Sequence, residues 1–379
     1  MIRKICVVVT SRASYCRIKT VLTEIRKHPD LKLQLVIAAS ALLEKYGSVL
    51  NSIKKDGFEI AAKISNVLDV ENYTAAAKTT ALGILELASL FENIKPDVVV
   101  SIGDRFETMS AAIAASYMNI PLAHIQGGEV TGNIDEKVRQ AVTKLADIHF
   151  VATEKAKARV IQLGENPQAV FNTGCPSIDL ALIATISNPC MSGECESAKR
   201  DSNEKYLVVM QHPVTTELQY ASKQIQETLN AVKQLNIPTY WFCPNADPGS
   251  PEISEGIRKF DEENSNHSIR FAKNYEPLHF LKIIKDSSCL IGNSSTGIRE
   301  ASYLGLPVVN IGSRQAGRER GGNVIDTEFE GEKIAHAVNR QLLHGPYPSE
   351  TIYGNGDAGK KIAELLAIIP FDTNKKIAY

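Results

Sequence analysis

The sequence lacks any apolar run long enough to span a membrane, and it lacks an apolar signal core, because a strand candidate begins close to the N-terminus. We therefore expect a cytoplasmic protein with no membrane partner. An excess of charge is also absent: the formal net charge is -1, which gives no electrostatic reason to expect nucleic acid as a partner. The turn after the first strand candidate, TSRASYC, has no glycine, which counts against a dinucleotide cofactor bound there.

Cysteine is sparse and unevenly spaced. The seven cysteines are an odd number in a chain of 379 residues, so they do not form a disulfide framework. Cys6, Cys243 and Cys289 lie inside apolar strand candidates, and we predict that they are small core residues. Cys190 and Cys195 are too far apart for a CxxC pair and have no matching Cys/His pair nearby, so we expect no metal site and no cofactor.

Short apolar strands alternate with helix-period segments along most of the chain, which is typical of doubly wound α/β domains with parallel sheets. The pattern breaks once, in a polar, turn-rich segment, and then restarts. We predict a first domain at 1–184, a linker at 185–205, a second domain at 206–355 and a last helix within 356–379. Longer predicted helices span Tyr73 to Asn93, Thr216 to Leu235, Pro251 to Asn264 and Ala358 to Ile369, and VFNTGCPSID is predicted as a short strand.

Two neighbouring strand candidates end in polar clusters rich in acids. The cluster GDRFE spans Gly103 to Glu107, and QGGEVTGNIDE spans Gln126 to Glu136. Ligands bind beyond the carboxyl ends of strands in an open parallel sheet, so both clusters should line one cleft. The candidate cleft residues are Asp104, Arg105, Glu107, Glu129, Asp135 and Glu136. Carboxylates grouped around a ligand indicate acid/base chemistry, whereas each acid alone fits a helix cap equally well.

A second kind of turn occurs in the later half. The strand CLI breaks at Gly292, and the hydroxyl residues of GNSST precede a helix that Gly305 and Pro307 end. Backbone N–H groups at a helix start favour a phosphate, although a serine cap is an equal alternative from this turn alone. Further basic and polar groups follow strand ends and favour a bound diphosphate: His212, Arg314, Arg318 and Arg320. Arg12 and Arg17 follow the first strand near a helix start, where anions are favoured; either fits an ordinary surface arginine, and Arg12 is the better functional candidate.

Eight segments in order resemble the UDP-N-acetylglucosamine 2-epimerase family, in its hydrolysing branch for sialic acid and related nonulosonate synthesis. They are SRASYCRIK, GDRFE, HIQGGEVTGNIDEKVRQAVTKLA, NTGCPSID, QHPVTTE, FCPNADPGS, GNSSTGIRE and GSRQAGRERGGNV, between about residues 3 and 325. The resemblance implies two Rossmann-like domains of the glycosyltransferase-B type, with the nucleotide sugar in the cleft between them. It also implies that the last helix packs back on the first domain.

Carried over by position, the resemblance implies a set of ligand contacts and a catalytic set. Contacts to UDP are implied for His212, Asn245, the backbone near Tyr275, Ser294, Ser295, Glu300 and Arg314, and from the first domain for Arg12, Cys16, Arg105 and Gly174. The catalytic candidates are Asp104, Gln126, Glu129, Asp135, Glu136 and His212. Gln126 departs from the family pattern, in which many relatives have Glu, and an amide cannot abstract a proton.

The implied reaction expels UDP from C1 while C2 loses its proton, and water then adds to the resulting glycal to give free N-acetylmannosamine. Four alternatives stay open: the same reaction on UDP-2,4-diacetamido-2,4,6-trideoxyglucose in the legionaminic acid route, a non-hydrolysing 2-epimerase, a glycosyltransferase, and a nucleotide-sugar binding protein without turnover. The resemblance also implies a homodimer or homotetramer.

Overall fold

A computed structural model describes residues 2–43, 49–68, 72–131, 134–186, 205–244, 247–264, 268–272 and 275–378. The described residues form two parallel sheets, each flanked by helices, so the predicted pair of α/β domains is confirmed. Within these ranges, no helix combines the length and the apolar character needed to cross a lipid bilayer.

The first sheet has the strand order β3-β2-β1-β4-β5-β6-β7, and its paired strands are parallel. Its strands are β1 (Arg3–Val9), β2 (Leu31–Ala38), β3 (Ile60–Ile64), β4 (Val98–Ile102), β5 (Leu122–Ile125), β6 (Ile148–Val151) and β7 (Val170–Asn172). Its helices are α1 (Arg12–Lys27), α2 (Leu50–Lys55), α3 (Tyr73–Ile94), α4 (Thr108–Tyr117), α5 (Asp135–Leu145), α6 (Glu154–Gln162) and α7 (Pro176–Ile186). The order reverses between β1 and β4, and a crevice opens at such a switch point.

The second sheet has the order β10-β9-β8-β11-β12-β13, again parallel, with its switch point between β8 and β11. Its strands are β8 (Leu207–Met210), β9 (Thr239–Phe242), β10 (Ile269–Ala272), β11 (Cys289–Gly292), β12 (Val308–Ile311) and β13 (Val324–Thr327). The helices are α8 (Ala221–Leu235), α9 (Ser250–Glu263), α10 (Pro277–Lys285), α11 (Glu300–Leu304), α12 (Gly331–His344) and α13 (Ala358–Ile368). The two switch points face the same interdomain cleft, which is lined from both sides.

The last helix, α13, packs on the first domain although it follows the second in sequence. The guanidinium of Arg3 in β1 donates to the carbonyls of Leu366 and Ile369 at 2.8 and 2.7 Å. At the other end of α13, the carboxylate of Asp179 accepts from the amide of Gly359 at 2.7 Å. These bonds satisfy groups at both ends of the helix and hold it against the first sheet.

Three local predictions were wrong. VFNTGCPSID is not one strand: β7 ends at Asn172, and α7 begins at Pro176, because proline suits the first position of a helix. The helix predicted from Thr216 begins at Ala221. Cys6 and Cys289 are fully buried as predicted, whereas Cys243 is half-buried and lines the cleft. Cys190 and Cys195 lie outside the described residues.

Candidate active site

The interdomain cleft encloses about 1250 Å³ of empty space, counted out to its open mouth. Most of the predicted site residues line it: Arg12, Cys16, Asp104, Arg105, Asp135, His212, Tyr275, Ser294, Ser295, Glu300 and Arg314. The acidic groups come from the first domain except for Glu300, and the hydroxyl groups predicted to bind phosphate come from the second. The cleft therefore has one wall suited to acid/base chemistry and one suited to an anion.

Asp104 follows β4 and is buried among guanidinium groups. Its carboxylate accepts a hydrogen bond from Arg139, and Arg318 lies 3.9 Å away. Burial alone would raise the pKa of Asp104, but Arg139, Arg17 and Arg318 outweigh burial and hold it well below its usual range. Asp104 is therefore ionised at neutral pH and is a weak base.

Glu129 is the second carboxylate in this buried group. Its Oε2 lies 3.3 Å from Arg318 and 3.6 Å from Arg299, both of which belong to the second domain. Burial and the charge of Asp104 oppose ionisation, yet the guanidiniums of Arg299 and Arg318 lower the pKa of Glu129. The other oxygen, Oε1, is buried and has no hydrogen-bond partner among the described residues.

Asp135 has the opposite electrostatic character. It begins α5 and lies 4.0 Å from the guanidinium of Arg314. Burial and the neighbouring charge of Asp104 outweigh that cation and raise the pKa of Asp135 to about 6. A carboxylate whose pKa is raised in this way is suited to accept a proton near neutral pH.

Glu136, the next residue, does not line the cleft. Its Oε2 accepts from the amide of Thr131 at 2.8 Å and from Arg139 at 2.8 Å. The side chain therefore holds the loop before α5 and helps to fix Arg139. It is not a helix cap, because α5 has no side-chain hydrogen bond at its N-cap. Of the neighbouring acids Asp135 and Glu136, the geometry favours Asp135 as the reactive one.

Gln126 lies behind the cleft wall. Its backbone has a φ of 70°, a strained conformation for a residue with a side chain. Oε1 accepts from Arg17 at 3.1 Å, and Nε2 donates to the sulfur of Cys175 at 2.9 Å. The amide thus links two neighbours and holds Arg17, which lines the cleft.

His212 and Asn293 form the centre of the second-domain wall. The amide of His212 donates to Oδ1 of Asn293 at 2.8 Å, and Nδ2 of Asn293 donates back to the His212 carbonyl at 2.9 Å. This reciprocal pair fixes the ends of β8 and β11 relative to each other. Burial, together with the charge of Arg314, lowers the pKa of His212 to about 3, so the imidazole is neutral at pH 7.

The GNSST turn contains a short 3-10 helix, Ser295–Gly297, and α11 begins only at Glu300. The α-helix is therefore shorter than the sequence predicted. Ser294 caps it by accepting from the amide of Thr296 at 3.3 Å. Arg314 donates to the carbonyl of Asn293 at 3.2 Å, which directs its guanidinium over the turn. Oε2 of Glu300 is buried without a hydrogen-bond partner among the described residues, and the side chain lines the cleft.

The remaining candidates differ in placement. Arg105 bonds Glu107 at 3.1 Å and Asp247 of the second domain at 2.6 Å, so it joins the two domains as well as lining the cleft. Tyr275 packs its ring edge-on against Phe242. Gly174 does not line the cleft; it packs against the backbone of Gly354. Asn245 lies outside the described residues.

The prediction that three loop arginines face a diphosphate was wrong for Arg320, which pairs with Asp326 in its own domain. The sequence reasoning also missed Arg139 and Arg299, which bind the buried carboxylates. Only the spacing of Arg139, three and four residues after two acids of the same helix, could have suggested its role. No group of three or more metal-ligating side chains occurs in the part of the chain described.

The fold and the cleft define a two-domain α/β protein in which carboxylates of one domain, Asp104 and Asp135, share a cleft with His212, Ser294 and Arg314 of the other. Residues 23–367 match the family described as UDP-N-acetylglucosamine 2-epimerase. The chain belongs to the UDP-N-acetylglucosamine 2-epimerase family.

Relatives match nearly the whole chain. This chain is 34% identical over 382 residues to the hydrolysing UDP-N,N'-diacetylbacillosamine 2-epimerase of Legionella pneumophila, and the match covers 100% of both chains. It is 30% identical over 369 residues to the UDP-N-acetylglucosamine 2-epimerase of Neisseria meningitidis serogroup B, covering 97% of this chain and 95% of that protein. The fold is similar to that of a Neisseria meningitidis UDP-GlcNAc 2-epimerase solved bound to UDP-GlcNAc, with a TM-score of 0.81, 21% identity, and 96% and 99% of the two chains covered.

Proposed function

We propose that this protein is a hydrolysing 2-epimerase that converts UDP-N-acetylglucosamine and water to UDP and N-acetylmannosamine. The observation that carries the proposal is Asp135, whose pKa of about 6 suits proton transfer, facing the wall formed by His212, Ser294 and Arg314. Family membership and the relatives' names support the same reaction class. The C2 hydrogen of the sugar is not next to a carbonyl, so simple removal and return of that proton cannot invert C2.

Elimination avoids this difficulty. Asp135 takes the C2 proton while the C1–O bond breaks, and the electron pair of that bond goes to the departing diphosphate. The negative charge that develops there is stabilised by Arg314, the GNSST turn and an N–H of the neutral His212. Water then adds across the C1–C2 double bond, with its hydroxyl on C1 and a proton on the opposite face of C2.

In this scheme Asp104 and Glu129 stay ionised and do not carry the C2 proton. They hold the arginines that contact them, Arg139, Arg299 and Arg318. Their low pKa values support that division of roles. A Gln at position 126 is compatible with it, because the amide contacts Arg17 and Cys175 and does not line the cleft.

A second candidate substrate is UDP-N,N'-diacetylbacillosamine, which carries an acetamido group at C4 and no hydroxyl at C6. It is favoured by the 34% identity, over the full length of both chains, to the Legionella enzyme of that name. The chemistry at C1 and C2 is the same for both sugars.

The test is incubation with each UDP-sugar separately in deuterated water, followed by measurement of UDP and of the sugar released. We expect free manno sugar with one deuterium at C2, because the proton taken by the enzyme exchanges with solvent. Release of product still attached to UDP would identify a non-hydrolysing epimerase. Free sugar without deuterium would contradict the elimination mechanism, and UDP release that requires a sugar acceptor would indicate a glycosyltransferase.

We also propose that the protein forms a homodimer or homotetramer. Leu85 on α3 and Tyr117 on α4 are 67% and 89% exposed, and the two helices pack together, with Ser110 donating to the carbonyl of Thr80. The two side chains are the candidate positions for a subunit contact on these helices. Light scattering of the wild type and of Tyr117→Glu tests this, since a smaller particle is expected for the variant.

A further inference from the structure

The loop between β12 and β13, residues 312–323, makes a series of polar contacts from the second domain to the first. We call it the bridging loop. Arg314 lies 4.0 Å from Asp135, and the Nε of Arg318 donates to the Val130 carbonyl at 3.5 Å. The carboxylate of Glu319 accepts from Thr153 at 2.5 Å. Each contact meets a different element of the first domain, so the loop spans much of the domain interface.

The bridging loop is held firmly by its own domain. Gln315 donates to the Asn293 carbonyl at 2.8 Å, and Arg320 donates to the Gln315 carbonyl at 2.6 Å. Gly317 has a φ of 75°, and a Cβ there would lie 2.9 Å from Cγ1 of Val130. The loop can approach the first domain this closely only with glycine at that point. The position of Arg318 is therefore set by the second domain.

Arg318 inserts between two carboxylates of the first domain. Its Nη2 is 3.3 Å from Glu129 and 3.9 Å from Asp104, and the side chain is only 2% exposed. Its Nη1 is buried and has no hydrogen-bond partner among the described residues, although the side chain lines the cleft. A guanidinium so placed screens the repulsion between two carboxylates that share one buried site.

The other charges around this pair come from several elements. Arg17 of α1 and Arg139 of α5 face Asp104, while Arg299, just before α11, faces Glu129. Tyr353 lies near Arg318 from the C-terminal segment. Without Arg318, Glu129 would keep one cation from the second domain, Arg299 at 3.6 Å, and would still face the charge of Asp104.

We propose that Arg318 is a positioning residue for the reaction proposed above: it is delivered by the second domain and holds Asp104 and Glu129 side by side as carboxylates. The paired carboxylates are then in place only when the two domains are in contact. The inference rests on the proposed function for its kinetic consequences, and its structural consequence can be measured without turnover.

The first test is Arg318→Gln, which keeps a hydrogen-bond donor and removes the charge. We expect kcat to fall on the order of 100-fold, with KM and the Kd for UDP each changed by less than about threefold. Arg318→Lys should restore part of kcat, since it returns the charge without the planar fork.

Glu319→Gln is the matched control, because it alters the neighbouring contact of the same loop with the same domain but touches neither carboxylate. Its kcat should stay near that of the wild type. Equal losses in Glu319→Gln and Arg318→Gln would overturn the proposal, as would a loss confined to KM and UDP affinity, which would make Arg318 a ligand of the diphosphate.

Hydrogen exchange measured without substrate separates this inference from the proposed function. Backbone amides in segments 103–107 and 128–131 should exchange faster in Arg318→Gln than in Glu319→Gln. Unchanged exchange would overturn the positioning role even if the wild type proved inactive on both UDP-sugars. Wild-type turnover tests the proposed function alone. If Arg318→Gln does not fold, Arg318→Lys is compared with Glu319→Gln in both the kinetic and the hydrogen-exchange experiment.

Discussion

At neutral pH the ionised carboxylate of Asp135 lowers the free energy of unfolding of the ligand-free protein. Burial and the nearby charge of Asp104 raise its pKa from 3.8 to about 6, a shift of roughly two units. Each unit corresponds to about 1.4 kcal/mol, so keeping Asp135 ionised costs the folded protein about 3 kcal/mol at neutral pH. Below about pH 4 the carboxyl is protonated in both the folded and the unfolded chain, and the cost vanishes.

The direction in which the free energy of unfolding changes with pH depends on which state binds the proton more tightly. Between about pH 4 and pH 6 the folded protein holds the Asp135 proton more tightly than the unfolded chain, so the free energy of unfolding falls as pH rises. Asp135→Asn cannot ionise. We therefore expect its unfolding free energy to exceed that of the wild type by up to about 3 kcal/mol at pH 7.5 and to match it near pH 4. The same variant should lose turnover, since it has no base.

The assay is urea unfolding without ligand at both pH values, with the number of transitions checked by two spectroscopic probes. Asp30→Asn, at an exposed carboxylate, is the control and should show no such pH-dependent gain. An Asp135→Asn protein that is no more stable than the wild type at pH 7.5 would refute the view that this carboxylate is strained. Retained turnover would refute its role as the base.

Three further predictions concern other residues. Asp104→Asn should abolish turnover and leave UDP binding measurable by calorimetry; near-normal rates would remove it from the essential set. Gln126→Glu should keep activity because a carboxylate can accept from Arg17 as the amide does, and a collapse in kcat would show that Nε2 has a specific donor role. Lys375→Met removes an ammonium 2.6 Å from Glu165 and should lower stability by about 1.5–3 kcal/mol in thermal melts, with kcat unchanged.

The sequence could predict that the clusters GDRFE and QGGEVTGNIDE lie near each other, because short apolar runs mark the positions of the strands before them. The strands β4 and β5 are buried along their whole length, so VVVSI and PLAHI stand out in the sequence. Parallel strands end at one edge, and Asp104 and Asp135 accordingly line one cleft. The same logic brought Ser294 and Arg314 to the opposite wall.

The partners of the carboxylates were not predictable in the same way. Arg139 lies in an amphipathic helix, where an arginine usually faces solvent, yet it is almost completely buried. Whether a helix face is covered depends on what packs near it, and here the bridging loop, about 180 residues further along the chain, brings Arg314 to 4.0 Å from Asp135 at the start of the same helix. Hydrophobic periodicity carries no signal for a contact between elements so far apart.

The start of α7 shows a different limit. The segment NTGCPSID contains both signals of a turn into a helix, Gly174 with a φ of 79° and Pro176 at the first helical position. The apolar residues before it dominated the strand prediction, because a run of three residues is too short to distinguish a strand end from a helix start.

The charge balance of the buried cluster connects stability to the proposed chemistry. It contains four guanidiniums, Arg17, Arg139, Arg299 and Arg318, and three carboxylates, Asp104, Glu129 and Glu136. Burial lowers the pKa of Arg17, and it lowers that of Arg318 to about 10, so neither cation is fully compensated. Both line the cleft, as does Arg299, which is paired with Glu129. Because Arg318 is held between Asp104 and Glu129, Arg17 is the cation of this cluster that an anion formed during the reaction would neutralise. A cluster with balanced charges would stabilise the free protein but not that anion.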